Sequence, residues 1–473
     1  MSRPVPAARV RATDLYDLAV CPHRIALDRR LPREARTPPS AATARLLAHG
    51  LALEAEVAGA LGYPQPEYPP GDFAEGARRT RELLEAGASG VYQGVLFDGR
   101  HLAIPDLLRR VDGASALGPF HYEPGDVKAG RTPRADQVLQ VAYGGLLLAR
   151  LQGRAPSHGF LVLGDRREER FPLGELQHVL ASAVAQVEAI VDGGGETFPF
   201  LGPGCAGCRW RGVCVPELAA SDDLSLVDGM TRTRHRVLSR HGVETVRALA
   251  SLDPAAWRAA GRPPLGLDLL SRQAAALLTG RTALTRPLDL PALPAGALLL
   301  YLERDPLAAD EVVLAAWAEC DAHGSAGPAA VRVLLTDKER AAAANELAAL
   351  IARPPRPLFH FGGAVAGAFD ALGEAAGIDP QRQAALSAHL LDLAAVLRRA
   401  ASFLPVWRYE LEQVDAALAG RPWPGPDEAD EPAFLGAAFL RDGVPGPWRD
   451  ELAALGAKRL ARLARVAAWM LRR

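Results

Sequence analysis

Residues 100–130, RHLAIPDLLRRVDGASALGPFHYEPGDVKAG, constrain the chain more than any other stretch, because they set charged groups inside apolar ribbons. Residues 102–111 are apolar with Leu and β-branched content, residues 121–127 form a second run, and a loop of Gly, Ala and Ser joins them. Both runs read as β-strands. Side chains two apart on a strand share a face, so Asp126 and Lys128 project together, beside Asp106 on the neighbouring strand. Two carboxylates converging with one ammonium make a hard-oxygen site for Mg²⁺ or Mn²⁺, with a group able to steer a water. The alternative is a surface hairpin carrying an ion pair.

Composition adds weight to Lys128. Of 54 basic residues, only Lys128, Lys338 and Lys458 are lysines. Arginine is a permanently charged fork, whereas lysine is a compact charge whose pKa its surroundings can tune. A lysine kept beside two carboxylates in so arginine-rich a chain marks a candidate site. The net charge is −1, so attraction to a polyanion has to come from a local basic surface. At 473 residues, 49% hydrophobic and 23% charged, the chain predicts several globular domains. No run is long enough for a membrane span and no apolar leader opens the chain, which places the protein in the cytoplasm.

Read in order, residues 8–30 hold a helix with Cys21 in CPHR, and residues 40–61 a long helix bearing His49, Gly50, Glu54 and Glu56. A Pro-rich linker at 64–72 precedes a helix at 73–86 and a strand at 90–97 that completes a three-strand meander. A helix at 133–151 carries Gln137, Gln140 and Tyr143, followed by a strand at 159–164 and a helix at 173–191.

Cys205, Cys208 and Cys214 then fall as C-x2-C-x5-C. A reducing cytoplasm disfavours disulfides, and Cys21 is the natural fourth ligand for Zn²⁺ or an iron–sulfur cluster. Such a centre would tie the first helix to the end of the domain across a long loop. Cys320 stands alone and is expected in the core.

CPHR, IPDLL, GDVKAG, the Gln/Tyr helix and the terminal cysteine triplet, in that order, resemble the RecB-like branch of the PD-(D/E)XK nucleases. Within it they are most similar to iron–sulfur members of the AddB and CRISPR-adaptation type. The resemblance covers about the first half of the chain. It implies a [4Fe–4S] cluster in preference to zinc, held by Cys21, Cys205, Cys208 and Cys214. It implies that Asp106, Asp126 and the Val127 carbonyl ligate Mg²⁺ or Mn²⁺, and that Lys128 orients the attacking water. Gln140 and Tyr143 would match the family's Gln/Tyr motif, spaced Q-x2-Y here where the family more often has Q-x3-Y; Gln137 is the alternative. Where the family commonly has a metal-binding His after a helix Gly, this chain has Leu53 and Glu54, so Glu54 is the candidate replacement and His49 the other. The activity implied is DNA cleavage at single strands or ends in repair or processing, with a helicase as a partner by analogy. The competing reading is a non-catalytic nucleic-acid-binding scaffold on the same fold.

Residues 223–252 read as two short helices joined at Arg240-His241-Gly242, like a helix-hairpin-helix, with Arg232, Arg234, Arg236 and Arg240 supplying charge. From residue 298, strands at 298–303, 311–319, 331–335 and 357–361 alternate with helices and resemble an RNase H-like domain. Its acidic set is depleted: Tyr301 stands before Glu303, Asp392 and Asp370 are the remaining candidates, and no acid follows Glu451. That domain is expected to be catalytically silent. The last helix carries Lys458, Arg462 and Arg465, read as a solvated basic face. The expected architecture is α/β throughout: a nuclease-like core at 1–218, a helical connector at 219–285 and an RNase H-like domain at 295–473.

Overall fold

The computed structural model describes residues 9–306, 311–352, 356–400, 402–421 and 432–473. It is mixed α/β and divides into two compact units, Met1–Cys214 and Val215–Arg473. The second unit contains both the expected connector and the expected α/β domain.

The first unit opens with β1 (Val10–Arg11), α1 (Ala12–Val20), α2 (His23–Arg30), α3 (Ala41–Leu61) and α4 (Phe73–Glu85). Strands β2 (Gly90–Tyr92), β3 (Leu96–Phe97), β4 (His101–Ala103), β5 (Leu107–Ser115) and β6 (Gly118–Val127) follow. Helix α5 (Ala135–Gln152), strands β7 (His158–Val162) and β8 (Glu168–Pro172), and helix α6 (Gln177–Val191) lead to α7 (Arg211–Ala220).

Each boundary has a local cause. Cys21 precedes a proline, which disfavours helical backbone before it, and it is extended at φ −162° and ψ 104°, so the expected single helix splits into α1 and α2. Ser40 caps α3, its Oγ accepting from the Thr43 N–H, and Gly62 closes the helix at φ 61°. The expected strand at 102–111 is likewise two. β4 pairs with β1 and β3 in a small sheet, whereas β5 belongs to the larger sheet β2-β5-β6-β7-β8. Pro105 at the break has no N–H to give a ladder. The strand expected at 90–97 also divides, at Gln93-Gly94.

In the larger sheet β2, β5 and β6 run antiparallel and β7 pairs parallel with β6. A parallel pair needs a crossover, and α5 provides it. Residues 121–127 of β6 are all buried. Gly125 is required there, because a Cβ would come within 2.3 Å of the Phe160 ring on β7. The core on one side of this sheet gathers Leu108, Tyr122, Tyr143, Leu148 and Val187.

The second unit begins with α8 (Arg232–Arg240), α9 (Val246–Ala250), α10 (Pro254–Ala259) and α11 (Leu267–Thr279). Next come β9 (Ala283–Leu284), β10 (Ala297–Asp305), β11 (Glu311–Cys320), β12 (Ala330–Val333), α12 (Asp337–Ala352) and β13 (Leu358–His360). Helices α13 (Ala364–Ala375) and α14 (Pro380–Ser387), β14 (Leu390–Asp392), α15 (Leu393–Arg399), β15 (Ser402–Phe403), α16 (Leu411–Leu418), α17 (Ala433–Arg441) and α18 (Trp448–Leu471) complete it. The main sheet has order β12-β11-β10-β13-β14, with a β10-β11-β12 antiparallel meander and β13 and β14 parallel to β10. The apolar run of β10 serves two cores, since Ala297 and Leu299 enter one and Leu298, Leu300 and Leu302 the other. A sheet covered on both faces has no polar side to alternate with.

Two residues of the basic face expected on α18 are ion-paired to acids on α16: Arg462 reaches Glu412 at 3.2 Å, and Arg465, still half exposed to solvent, reaches Asp415 at 2.6 Å. Cys320 is buried in the core, as expected. No helix among the described residues is long and apolar enough to cross a membrane.

Candidate metal-dependent active site

Asp106 sits at the break between β4 and β5, and Asp126 and Lys128 lie at the end of β6. The Lys128 Nζ is 2.9 Å from Asp126 Oδ2 and 3.9 Å from Asp106 Oδ2. Backbone amides fix the acids from behind: the Val127 N–H donates to Asp106 Oδ2 (2.8 Å), and the Asp106 N–H donates to Asp126 Oδ1 (3.2 Å). Asp106, Asp126, Lys128 and Gln140 line one cleft of about 640 Å³, together with Arg9, Arg11 and Arg33. The expected trio therefore converges, and three arginines line the same cleft. Sequence reasoning missed those arginines, which carry no motif.

Electrostatics draws Glu54 into the group. Burial raises the Asp106 carboxyl well above the carboxylate range, the Asp126 and Glu54 charges raise it further, and Lys128 pulls the other way. Burial by itself would lower the Lys128 ammonium, but Asp126, Asp106 and Glu54 outweigh it and its pKa rises. Glu54 is held by the Tyr92 hydroxyl (3.0 Å) and the Gln93 side-chain amide (2.7 Å), both donating to Oε1. Among the described residues no three or more His, Cys, Asp and Glu side chains are gathered as a ready metal cage. Asp106 and Asp126 instead share the Lys128 ammonium. The donor set suits a hard divalent cation: oxygen ligands, and a carboxyl whose raised proton affinity marks excess negative charge.

The remaining candidates lie as follows. Tyr143 is wholly buried, bonds His101 Nδ1 (2.9 Å), and does not line the cleft. Tyr143 lies three residues after Gln140 on α5 and packs with Ala142 and Leu147 in the core, whereas Gln140 stays at the edge of the cleft. Gln137 accepts from the Arg134 N–H (3.1 Å) at the start of α5, and neither His49 nor Glu54 is among the residues lining the cleft, Glu54 standing behind it on Tyr92 and Gln93. The Val127 side chain packs with Leu53, Val57 and Phe160, the opposite face from its neighbours.

At the cysteines, no disulfide is present among the described residues. Burial, then the proximity of Cys21 and Cys208, raises the Cys205 thiol, although the Gly202 amide opposes this. The Gly202 N–H points at the Cys205 Sγ and the Trp210 N–H at the Cys208 Sγ, each at 3.4 Å. Arg24 lies beside Cys208, gives Nη2 to the Gly204 carbonyl at 2.5 Å, and leaves its buried Nε without a hydrogen-bond partner. Amides and a guanidinium aimed at sulfur suit a thiolate-bound, net-negative centre. Cys214 lies on α7. A second link joins the same segments: Arg209 bonds Asp17 (2.5 Å) and Asp28 (2.8 Å), and the Trp210 Nε1–H donates to Asp28 (2.9 Å).

In the second unit the candidate acids are engaged elsewhere. Glu303 accepts from the Tyr301 hydroxyl and from the Ala433 N–H at 2.5 Å. Asp392 accepts from the Gly362 and Ala394 amides (2.8 and 2.9 Å), and Asp370 from the Ser387 hydroxyl at 2.7 Å. In the helical hairpin, α8 and α9 occur as expected, and Arg234 donates to the Gly229 carbonyl at 2.7 Å.

No family model matches the chain, and no curated protein matches it either.

Proposed function

We propose that the chain is a metal-dependent DNA nuclease of RecB-like PD-(D/E)XK type, acting on single strands or ends in repair or processing. The observation that carries this reading is the convergence of Asp106, Asp126 and Lys128 in a cleft lined by Arg9, Arg11 and Arg33. The α–β–β–β–α–β order through β2, β5, β6, α5 and β7 supports the same assignment.

Asp106, Asp126 and Glu54 would hold Mg²⁺ or Mn²⁺, with the Val127 carbonyl as the further ligand implied by the family. A bound cation supplies polarisation of the phosphate and acidification of a water. Lys128, kept protonated by its acidic neighbours, contributes fixed positive charge where negative charge grows at phosphorus. Gln140 offers an amide to substrate or water, and the three arginines attract the polyanionic backbone.

Cys21, Cys205, Cys208 and Cys214 would hold a [4Fe–4S] cluster, with Zn²⁺ as the alternative. The second unit is proposed to be an RNase H-like domain without catalysis: its sheet order supports the fold, and the engaged carboxylates of Glu303 and Asp392 support the silence. Cleavage in a cytoplasmic complex with a helicase is part of the same proposal.

A second reading, a nucleic-acid-binding scaffold without cleavage, draws on one observation: Lys128 already neutralises the acids that a metal would need. One experiment separates the two. Anaerobically purified protein is incubated with end-labelled single-stranded DNA in Mg²⁺, Mn²⁺ or EDTA. Metal-dependent cleavage that falls at least ~100-fold in Lys128→Ala and Asp106→Ala supports the nuclease. DNA binding without cleavage in either metal overturns it in favour of the scaffold.

A further inference from the structure

Two neighbouring residues around the candidate site were given no role by the sequence. Gln93 is a non-glycine residue in the left-handed region, at φ 48°. Such a conformation is unfavourable for a residue with a side chain and persists where the surroundings impose it. Here the surroundings are the candidate site. The Gln93 N–H donates to the Asp106 carbonyl (2.9 Å), and its side-chain amide donates to Glu54 Oε1 (2.7 Å). Its own side-chain oxygen accepts from the Gln65 amide (2.8 Å), which fixes the side chain from the far end. The Tyr92 hydroxyl meets the same Glu54 Oε1 at 3.0 Å. The left-handed turn at Gln93 ends β2, which lets one residue face both the β4–β5 break and α3.

We infer that Gln93 is a positioning residue that, with Tyr92, holds Glu54 in register with Asp106 and would leave Glu54 Oε2 available to a cation. Both hydrogen bonds converge on Oε1, and neither occupies Oε2. A carboxylate on a long, flexible side chain otherwise samples several rotamers, and ordering it beforehand removes that cost from binding. The backbone strain is retained because a relaxed residue at this position would release Glu54. The inference rests on the proposed metal site, and it predicts a separation that a merely structural role does not.

The test measures Mn²⁺ affinity of the whole chain by Mn²⁺ electron paramagnetic resonance in the absence of DNA, alongside thermal unfolding. Gln93→Gly relieves the strain and removes the amide. The expected result is Mn²⁺ affinity lowered ~10–100-fold, the range for loss of a ligand-orienting partner, with an unfolding temperature equal to or above the parent. Gln93→Ala, which keeps the strain, is expected to lose the same affinity and some stability. In a Glu54→Gln background, Gln93→Gly should have no further effect on affinity, since the carboxylate it orders is gone. If Glu54→Gln weakens Mn²⁺ binding while Gln93→Gly leaves it unchanged, the positioning role is overturned and the metal site stands. If the parent binds no Mn²⁺, the proposed function fails, and the inference with it.

Discussion

Arg209→Met tests what holds the cysteine segment against the first two helices. Arg209 bridges Asp17 and Asp28, whose side chains are 4% and 13% exposed. Removing one partner of a buried ion pair costs ~3–5 kcal/mol, mostly by stranding the other charge. Here the loss is partly covered, because Arg24 stays 3.5 Å from Asp17 and Asp28 keeps Arg36 and the Trp210 N–H. Methionine retains the aliphatic stem, so the expected cost is about 2–3 kcal/mol. For a unit of this size each kcal/mol moves the midpoint by roughly 2–4 °C, giving a shift of roughly 5–10 °C. Calorimetry of the whole chain reads it as a fall in one transition. Adding Asp17→Asn should recover about half or more, since the stranded charge is then removed. Iron or zinc content should fall with the single variant, because Cys205 and Cys208 lose their fixed distance from Cys21. A midpoint within about 1 °C of the parent would refute the reasoning. So would an Asp17→Asn double variant less stable than the single, which would make the contribution packing and not charge.

The raised Asp106 carboxyl predicts a pH effect with a definite sign. Between the unfolded value near ~4 and the higher folded value, the native state holds the extra proton, so metal-free stability falls as pH rises through that window. Mn²⁺ competes with that proton, so its stabilising effect should grow over the same window; unfolding with Mn²⁺ or EDTA from pH 4 to 8 checks this, and Asp106→Asn should flatten both profiles. Tyr143→Phe leaves the His101 ring nitrogen without its partner and should cost about 1–2 kcal/mol in unfolding free energy. Metal-dependent cleavage should persist in that variant; its abolition would return Tyr143 to the site.

Much of the candidate site was legible because strand periodicity is local. The two-residue repeat alone put Asp126 and Lys128 on one face, and a proline-adjacent acid placed Asp106 opposite. The helix periodicity that paired Gln140 with Tyr143 was also local, but it could not say which of the two turned toward the cleft. Packing of α5 against β4 and β6 settled that, leaving Tyr143 in the core beside His101. Glu54 came from the resemblance, as the replacement for the family's helix His, and its anchors Tyr92 and Gln93 lie nearly forty residues away and carry no motif.

Read alone, the amino-acid order determined where α3 starts and stops, that strands run through 107–111 and 121–127, and that four cysteines and one rare lysine stand out. Those properties follow from near-neighbour sterics, capping and apolar spacing, which act within a few residues. Only the tertiary structure decided that the ribbon at Pro105 passes from one sheet to another, that Arg9, Arg11 and Arg33 line the acids' cleft, and that Arg209 links two acids to the cysteine segment. It also paired two arginines of the last helix, Arg462 and Arg465, with Glu412 and Asp415. The ion pairs among these bring charges far apart in sequence within a few ångströms, where burial and Coulomb energy, not local preference, choose the partner.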